Sequence, residues 1–172
     1  MKYLSATLLA SALFAAPVAA QDQTLIQHFT MDEMKRALNG VDATYVPASN
    51  ERSLNVTFAS SLKANALIMA CADEEAFRDC YATSILALFD PPEGATPEQI
   101  NAAINQYNYN ENFGRAYIDE EGDISVQMYI ISDGSITREN YRRQIELWEY
   151  SLQDFTTYLY PEEETAAKKK GV

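Results

Sequence analysis

Residues 137–160 read TRENYRRQIELWEYSLQDFTTYLY, and the pattern of this stretch constrains the fold of the whole chain. Its apolar residues recur at intervals of four and three, which places them on one face of an α-helix. These residues are Tyr141, Ile145, Trp148, Leu152, Phe155 and Leu159. The helix should begin at Thr137, where Ile136 is placed to pack against Tyr141. A helix with one apolar face needs a second layer to cover that face. We therefore expect a long C-terminal helix packed on a sheet.

Two shorter helices are marked by their start signals. Each has a threonine followed three residues later by Glu or Gln, the pattern of a capping box: Thr30 with Glu33, and Thr96 with Gln99. The first helix should run over residues 31–39 and stop at Gly40. The second should begin at Pro97, because proline suits the first helical position. The sequence thus predicts an N-terminal, a middle and a C-terminal helix.

Between the helices, apolar residues alternate with polar ones, which is the period of a half-buried strand. The candidate strands are residues 43–48, 54–58, 64–71, 80–89, 113–119 and 124–132. The turn sequence over residues 119–123 should join the last two strands as a hairpin. Because the connections are short, the sheet should be mostly antiparallel. The expected fold class is α+β, with five to six strands and all three helices on one face of the sheet.

The only two cysteines of the chain are Cys71 and Cys80. The segment between them is polar and turn-like, and the flanking segments are strand-like. We expect a disulfide at the base of a hairpin loop, which would stabilise the fold by about 2–3 kcal/mol. A redox-active dithiol is less consistent with this spacing, since reactive pairs usually follow the C-x-x-C pattern.

The two ends of the chain differ in composition from the rest. Lys2 is followed by an apolar run over residues 4–16 and by small residues up to Ala20, which is typical of a secretory signal peptide cleaved after Ala20. Residues 162–172 have no apolar periodicity and should form a disordered charged tail. We therefore expect a single domain over residues 21–161, periplasmic or secreted, with no membrane insertion after signal cleavage.

Charge and residue types limit the classes of function. The 172-residue chain carries 13 basic and 25 acidic side chains, a net charge of −12, which disfavours nucleic-acid binding. His28 is the single histidine and has no serine or cysteine nucleophile motif nearby. The acidic residues 119–123 do not have the spacing of an EF-hand and are better explained as a solvated turn. We expect no catalytic residues, no metal site and no cofactor.

An asparagine cluster follows the middle helix, and two roles are open for it. Its members are Asn105, Asn108, Asn110 and Asn112. Asparagine tolerates the left-handed conformation that ends helices, so helix capping is the favoured role and ligand binding the alternative. Arg115 lies in an otherwise apolar strand, and we expect it to pair with Asp119, Asp123 or Glu139.

Several of these segments together resemble the YbjN family of bacterial proteins. The resemblance lies in the spacing from the asparagine cluster to Phe-Gly-Arg-Ala, the acidic turn and the tryptophan-containing helix, and it extends from about residue 29 to residue 160. The residues that carry it are Asn105, Asn108, Phe113, Gly114, Arg115, Ala116, Asp119 and Trp148. The resemblance implies a fold similar to type III secretion chaperones and a role as a sensory-transduction or stress-linked regulator. It implies no catalytic residues.

The aromatic face of the C-terminal helix has two interpretations. Its residues either pack on the sheet as core or remain partly exposed to bind a protein partner or a second copy. The candidate contact residues are Trp148, Phe155, Tyr158 and Tyr160. The favoured function is an exported, non-enzymatic domain that acts through protein–protein contact, in a chaperone-like or regulatory role. The alternatives are a small-molecule sensor with a pocket between sheet and helices and, less favoured, a hydrolase.

Overall fold

The computed structural model describes residues 22–161 as eight strands and three helices. The strands are β1 (Leu25–Ile26), β2 (Thr44–Pro47), β3 (Ser53–Thr57), β4 (Lys63–Asp73), β5 (Arg78–Phe89), β6 (Arg115–Ile118), β7 (Ile124–Ile131) and β8 (Ile136–Thr137). The helices are α1 (Met31–Asn39), α2 (Pro97–Asn110) and α3 (Arg138–Leu159). The expected signal peptide and charged tail, residues 1–20 and 162–172, lie outside the described residues.

Six strands form one antiparallel sheet in the order β2-β3-β4-β5-β7-β6. Each predicted strand is present in it, and the predicted α+β class with an antiparallel sheet is confirmed. The pattern missed the short strands β1 and β8, which pair with each other in a separate two-stranded sheet. Two-residue strands carry too little alternation to be recognised in a sequence.

The three helices begin where their capping signals predict. The Thr30 hydroxyl accepts a hydrogen bond from the Glu33 amide at the start of α1. Thr96 and Gln99 form a complete capping box at the start of α2. Thr137 caps α3 by accepting from the Asn140 amide. A local side-chain hydrogen bond therefore marks the start of each helix.

The apolar face of α3 forms the centre of the hydrophobic core. All six of its predicted apolar residues are buried: Tyr141, Ile145, Trp148, Leu152, Phe155 and Leu159. They belong to one cluster with the buried residues of α1, of α2 and of one face of the large sheet. None of the helices within residues 22–161 combines the length and the hydropathy that crossing a membrane requires.

Cys71 and Cys80 form a disulfide, as the sequence predicts. The two residues lie directly opposite each other on β4 and β5, next to the turn that joins these strands. The backbone amide of Phe29 donates to the carbonyl of Cys80 at 2.7 Å. Cys80 is fully buried and Cys71 nearly so, and both belong to the core. The disulfide therefore joins the hairpin at a point where the N-terminal segment also attaches.

Candidate functional site

The structure separates the four aromatic residues proposed for partner contact into two groups. Trp148 and Phe155 are fully buried and contact Phe58 and Tyr107, respectively. The expectation that these two side chains meet a partner is wrong, because the sheet and the other helices already cover them. The other two candidate contact residues, Tyr158 and Tyr160, are half-buried at the C-terminal end of α3.

Tyr158 and Tyr160 hold the end of α3 against neighbouring segments. The Tyr158 hydroxyl accepts from the Asn110 amide at 3.2 Å and donates to Glu111 at 3.3 Å. The Tyr160 hydroxyl donates to the carbonyl of Asp90 at 2.7 Å. Both tyrosines line a groove of about 690 Å³ between α2, the end of α3 and the 90–95 loop. These two positions remain candidate contact residues.

The family-type residues around β6 have structural roles that the sequence did not assign. Asn108 was expected to end α2 in a left-handed conformation, but the cap residue Glu111 is extended. Instead, the Asn108 amide donates to the carbonyl of Ala116 and accepts from the Ala116 amide, both at 2.9 Å. Gly114 packs so closely under Tyr107 that an added Cβ would lie 2.4 Å from the Tyr107 hydroxyl oxygen.

The remaining family-type residues lie at the surface. Asn105 is exposed on α2, and Phe113 is 41% exposed. Arg115 was expected to pair with a carboxylate, but within the described residues its guanidinium lies over the ring of Tyr117, 5.0 Å from the centroid. The two side chains are two residues apart on β6 and so point to the same face of the sheet, which allows this cation–π contact.

Asp119 organises the acidic turn between β6 and β7. Its Oδ1 accepts from the amides of Glu121 and Asp123, at 3.1 and 2.8 Å, and its Oδ2 accepts from the Ser125 hydroxyl at 3.3 Å. Within residues 22–161, no group of three or more His, Cys, Asp or Glu side chains is placed to hold a metal ion. Both carboxylate oxygens of Asp119 therefore accept hydrogen bonds from groups in or next to the turn.

The single histidine lies away from the turn. His28 Nδ1 is 2.9 Å from Asp79 Oδ1, and its ring meets the edge of Tyr81. A histidine and an aspartate alone lack the nucleophile that a catalytic triad requires. The contact instead joins the N-terminal segment to the start of β5.

The face of the large sheet opposite the helices is not covered by any described helix. Residues that pair across antiparallel strands point to the same face. One continuous row runs across all six strands on this open face: Val46, Asn55, Asn65, Leu86, Gln127 and Arg115. Neighbouring rows contain Ser53, Leu67, Ser84 and Tyr129, and then Met69, Ala82 and Ile131.

Large apolar side chains are exposed on this open face. Val46 is 60% exposed, Leu88 57%, Tyr129 50% and Ile131 62%. Leu67, Met69 and Leu86 are half-buried beside them. Neighbouring exposed apolar side chains on a protein surface can mark an interaction site. The open face is therefore the candidate functional site.

A shallow groove of about 410 Å³ crosses the open face from β2 to β5. Val46, Leu86 and Leu88 supply apolar walls, and Asn55 and Asn65 lie between them, with the Asn65 amide donating to Asn55 at 3.2 Å. Lys63 is also part of the lining. Such a surface can bind aliphatic groups and hydrogen-bonding groups together.

The sequence contained a signal for this site. Residues 85–89, Ile-Leu-Ala-Leu-Phe, are apolar at successive positions in β5 and so break strict alternation. A strand that is apolar on both faces is normally covered on both faces. In this fold the helices cover only one of them, which leaves Leu86 and Leu88 at the surface.

Comparisons with known proteins agree with this fold. The model of the YbjN family, described as "Putative bacterial sensory transduction regulator", matches residues 76–160. The crystal structure of YbjN from E. coli is similar with a TM-score of 0.61 at 10% identity, covering 83% of this chain and 96% of that chain. No protein in the curated set matches the chain.

Two solved complexes also show partial similarity. One is the heterodimeric ExoU–SpcU complex of the type III secretion system of Pseudomonas aeruginosa, with a TM-score of 0.45 at 13% identity, covering 67% of this chain and 88% of that chain. The other is the HopA1–SchA chaperone–effector complex, with a TM-score of 0.45 at 10% identity, covering 73% and 96%. Residues 76–160 therefore match the YbjN family, and the chain shares its fold with the E. coli YbjN structure.

Proposed function

We propose that this protein is an exported, non-enzymatic module that acts through protein–protein contact on the open face of its sheet. The observation that carries this proposal is the cluster of exposed apolar side chains, Val46, Leu88, Tyr129 and Ile131, on a sheet face that no described helix covers. The match to a family described as regulators supports a binding role over a catalytic one. A chaperone-like or regulatory activity would use this same surface.

Export is supported by two independent features. The apolar run over residues 4–16 with small residues up to Ala20 has the form of a cleaved signal. The disulfide between Cys71 and Cys80 suits an oxidising compartment such as the periplasm. Mass analysis of the protein purified from its source bacterium should give a chain that starts at Gln21. A chain that retains residues 1–20 in the cytoplasmic fraction would contradict export.

The binding proposal is tested by comparative capture from native cell-envelope extract of the source bacterium. The baits are the unaltered protein, a double variant of the open face, Leu88→Ser/Tyr129→Ser, and a matched control, Leu25→Ser/Tyr150→Ser. The control residues are 63% and 54% exposed but lie off the open face. We expect a partner that the unaltered protein and the control retain and the face variant loses. Partners retained equally by all three baits would place the contact elsewhere.

A second candidate function is a small-molecule sensor, and the groove beside Tyr158 favours it. At about 690 Å³ this groove falls within the size range of ligand sites, and Ile100 and Ala103 give it apolar walls while Gln106 adds an amide. A ligand held there would raise the melting temperature. The test is a thermal-shift screen of small metabolites, repeated with Ala102→Phe, which places a ring in the groove. A ligand whose shift survives this change binds elsewhere.

A further inference from the structure

The open face has an unusual charge composition for this protein. Nineteen residues can be assigned to it from the strand pairing, with β4 counted up to Met69 and β5 from Ala82. Beyond these positions Ala70 has a φ of +53°, and Cys71 and Cys80 belong to the core. The nineteen residues are Thr44, Val46, Ser53, Asn55, Thr57, Lys63, Asn65, Leu67, Met69, Ala82, Ser84, Leu86, Leu88, Arg115, Tyr117, Ser125, Gln127, Tyr129 and Ile131. None of the 25 acidic residues of the chain is among them, whereas Lys63 and Arg115 both are. The surface thus combines apolar and neutral polar side chains with two positive charges, on a chain whose net charge is −12.

The Asp119 carboxylate lies at the rim of this face but does not pair with either of its two cations. Asp119 Oδ2 accepts from Ser125 at 3.3 Å, and its other oxygen accepts from two backbone amides of the turn. Neither Lys63 nor Arg115 forms an ion pair with another described residue, and the Arg115 guanidinium lies over Tyr117. Both cations can therefore accept an external carboxylate.

The two positive charges distinguish two kinds of molecule that could bind the open face, a second copy of this chain and a different protein. A second copy in a symmetric face-to-face contact would bring the same patch against itself. That contact would place Lys63 and Arg115 of each copy in an interface with no facing carboxylate from this surface. A partner that carries its own carboxylates would instead pair with the cations while its apolar side chains cover Leu86, Leu88 and Tyr129. Charge complementarity therefore favours a different protein.

The rest of the surface limits how acidic that protein can be. A strongly acidic partner would be repelled by the field of a chain with a net charge of −12. The carboxylates must therefore be confined to the contact segment. Lys63 lies on β4 and Arg115 on β6, which is three strands away in the sheet. Arg115 is in the same row as Asn65, two residues along β4 from Lys63, so the two cations are about 15 Å apart. About five residues of extended chain, or about ten of helix, span this distance.

We propose that the open face binds an aliphatic segment of another polypeptide that carries one or two carboxylates, which pair with Lys63 and Arg115. This inference rests on the proposed protein-binding function and specifies the chemistry of the partner. The segment lies across the sheet with its apolar side chains over Leu86 and Leu88, and its carboxylates meet the two cations. Because exposed ion pairs contribute little energy, the apolar contact supplies affinity and the cations supply selectivity.

The test uses a displayed library of random dodecapeptides selected against residues 21–172, with the disulfide intact. We expect selected peptides to be enriched in Leu, Ile or Val together with Asp or Glu. Binding of a synthesised selected peptide should fall at least tenfold with Lys63→Glu/Arg115→Glu. It should change little with the control Arg36→Glu/Arg143→Glu, which makes the same change in net charge at exposed positions of other elements. Replacing the peptide's Glu by Lys should restore binding to the charge-reversed variant.

The other outcomes separate this inference from the function on which it rests. Peptides that lose binding with Leu88→Ser/Tyr129→Ser but not with charge reversal would overturn the carboxylate assignment and leave the open face as a binding surface. Peptides indifferent to both sets of variants, or a library that yields no binder at micromolar protein, would overturn the inference. A concentration-dependent dimer in light scattering that Leu88→Ser/Tyr129→Ser abolishes, with no peptide selected, would make a second copy the occupant.

Discussion

The side-chain amide of Asn108 bonds both backbone groups of Ala116, at 2.9 Å each. These groups are the outward ones of edge strand β6, because β6 pairs with β7 on its other side. An amide side chain from α2 thus takes the place that a further strand would occupy. Edge strands with free backbone groups invite pairing with other chains, so this contact blocks strand addition at one edge of the sheet.

Asn108→Ala should lower the free energy of unfolding by about 1–2 kcal/mol, because it removes both hydrogen bonds to Ala116. Amide exchange at Ala116 should also accelerate. Urea denaturation and hydrogen-exchange NMR measure the two effects. The matched control is Asn105→Ala, an exposed residue of the same helix, for which we expect a change within about 0.5 kcal/mol. Unchanged protection of the Ala116 amide would show that this contact does not hold the edge.

Gly114→Ala should destabilise the fold by about 1–3 kcal/mol through overpacking. The added methyl group would lie 2.4 Å from the hydroxyl oxygen of Tyr107, which is fully buried and bonded to Ser151 at 2.8 Å. Because the hydroxyl causes the clash, the cost should be smaller in a Tyr107→Phe background. A double-mutant cycle by chemical denaturation checks this. Strict additivity of the two changes would mean that the hydroxyl is not the obstacle.

Removing the disulfide with Cys71→Ala/Cys80→Ala should lower stability by about 2–3 kcal/mol, since it frees the hairpin loop in the unfolded state. Both cysteines lie on the core side, away from the open face, so binding of a selected peptide should persist. Guanidinium denaturation and a fluorescence binding titration measure the two properties. Lost binding at unchanged stability would assign the disulfide to the site and not to the fold.

The ion pairs of α3 should make stability depend on pH in the acid range. The pKa of Glu139 is lowered chiefly by its hydrogen bonds to Arg142, at 2.7 and 2.9 Å. The pKa of Glu146 is lowered chiefly by Arg143, with desolvation opposing the shift. Both carboxyls bind protons more weakly in the folded state than in the unfolded state. Their contribution is therefore complete above the ordinary glutamate pKa of about 4.3 and is lost as pH falls through the lowered folded values.

Urea midpoints at pH 7 and at low pH measure this effect. Arg142→Met should reduce the difference in stability between the two pH values, because it removes the main cause of the shift at Glu139. The control is Arg36→Met, an exposed arginine 3.8 Å from Glu33, which should leave the difference nearly unchanged. An unaltered pH dependence in the Arg142 variant would mean that other carboxyls dominate acid unfolding.

Part of the candidate site was within reach of sequence reasoning and part was not. The apolar positions at Leu86 and Leu88 are visible in β5, as is the placement of all helices on one side of the sheet. These two residues share a face with Val46, Tyr129 and Lys63 only because of the strand order, in which β7 lies between β5 and β6. Strand order and register arise from long-range pairing, which local patterns do not encode.

The sequence by itself determined the elements of this protein: the capped starts of α1, α2 and α3, the six main strands, the disulfide partners and the apolar face of α3. These features follow from local hydrogen bonding and from periodicity, which act over a few residues. Only the tertiary structure decided that Trp148 and Phe155 are core, that Asn108 closes an edge and that an apolar face without carboxylates is left open. These outcomes depend on which distant segments meet, because burial and pairing are properties of the packed chain.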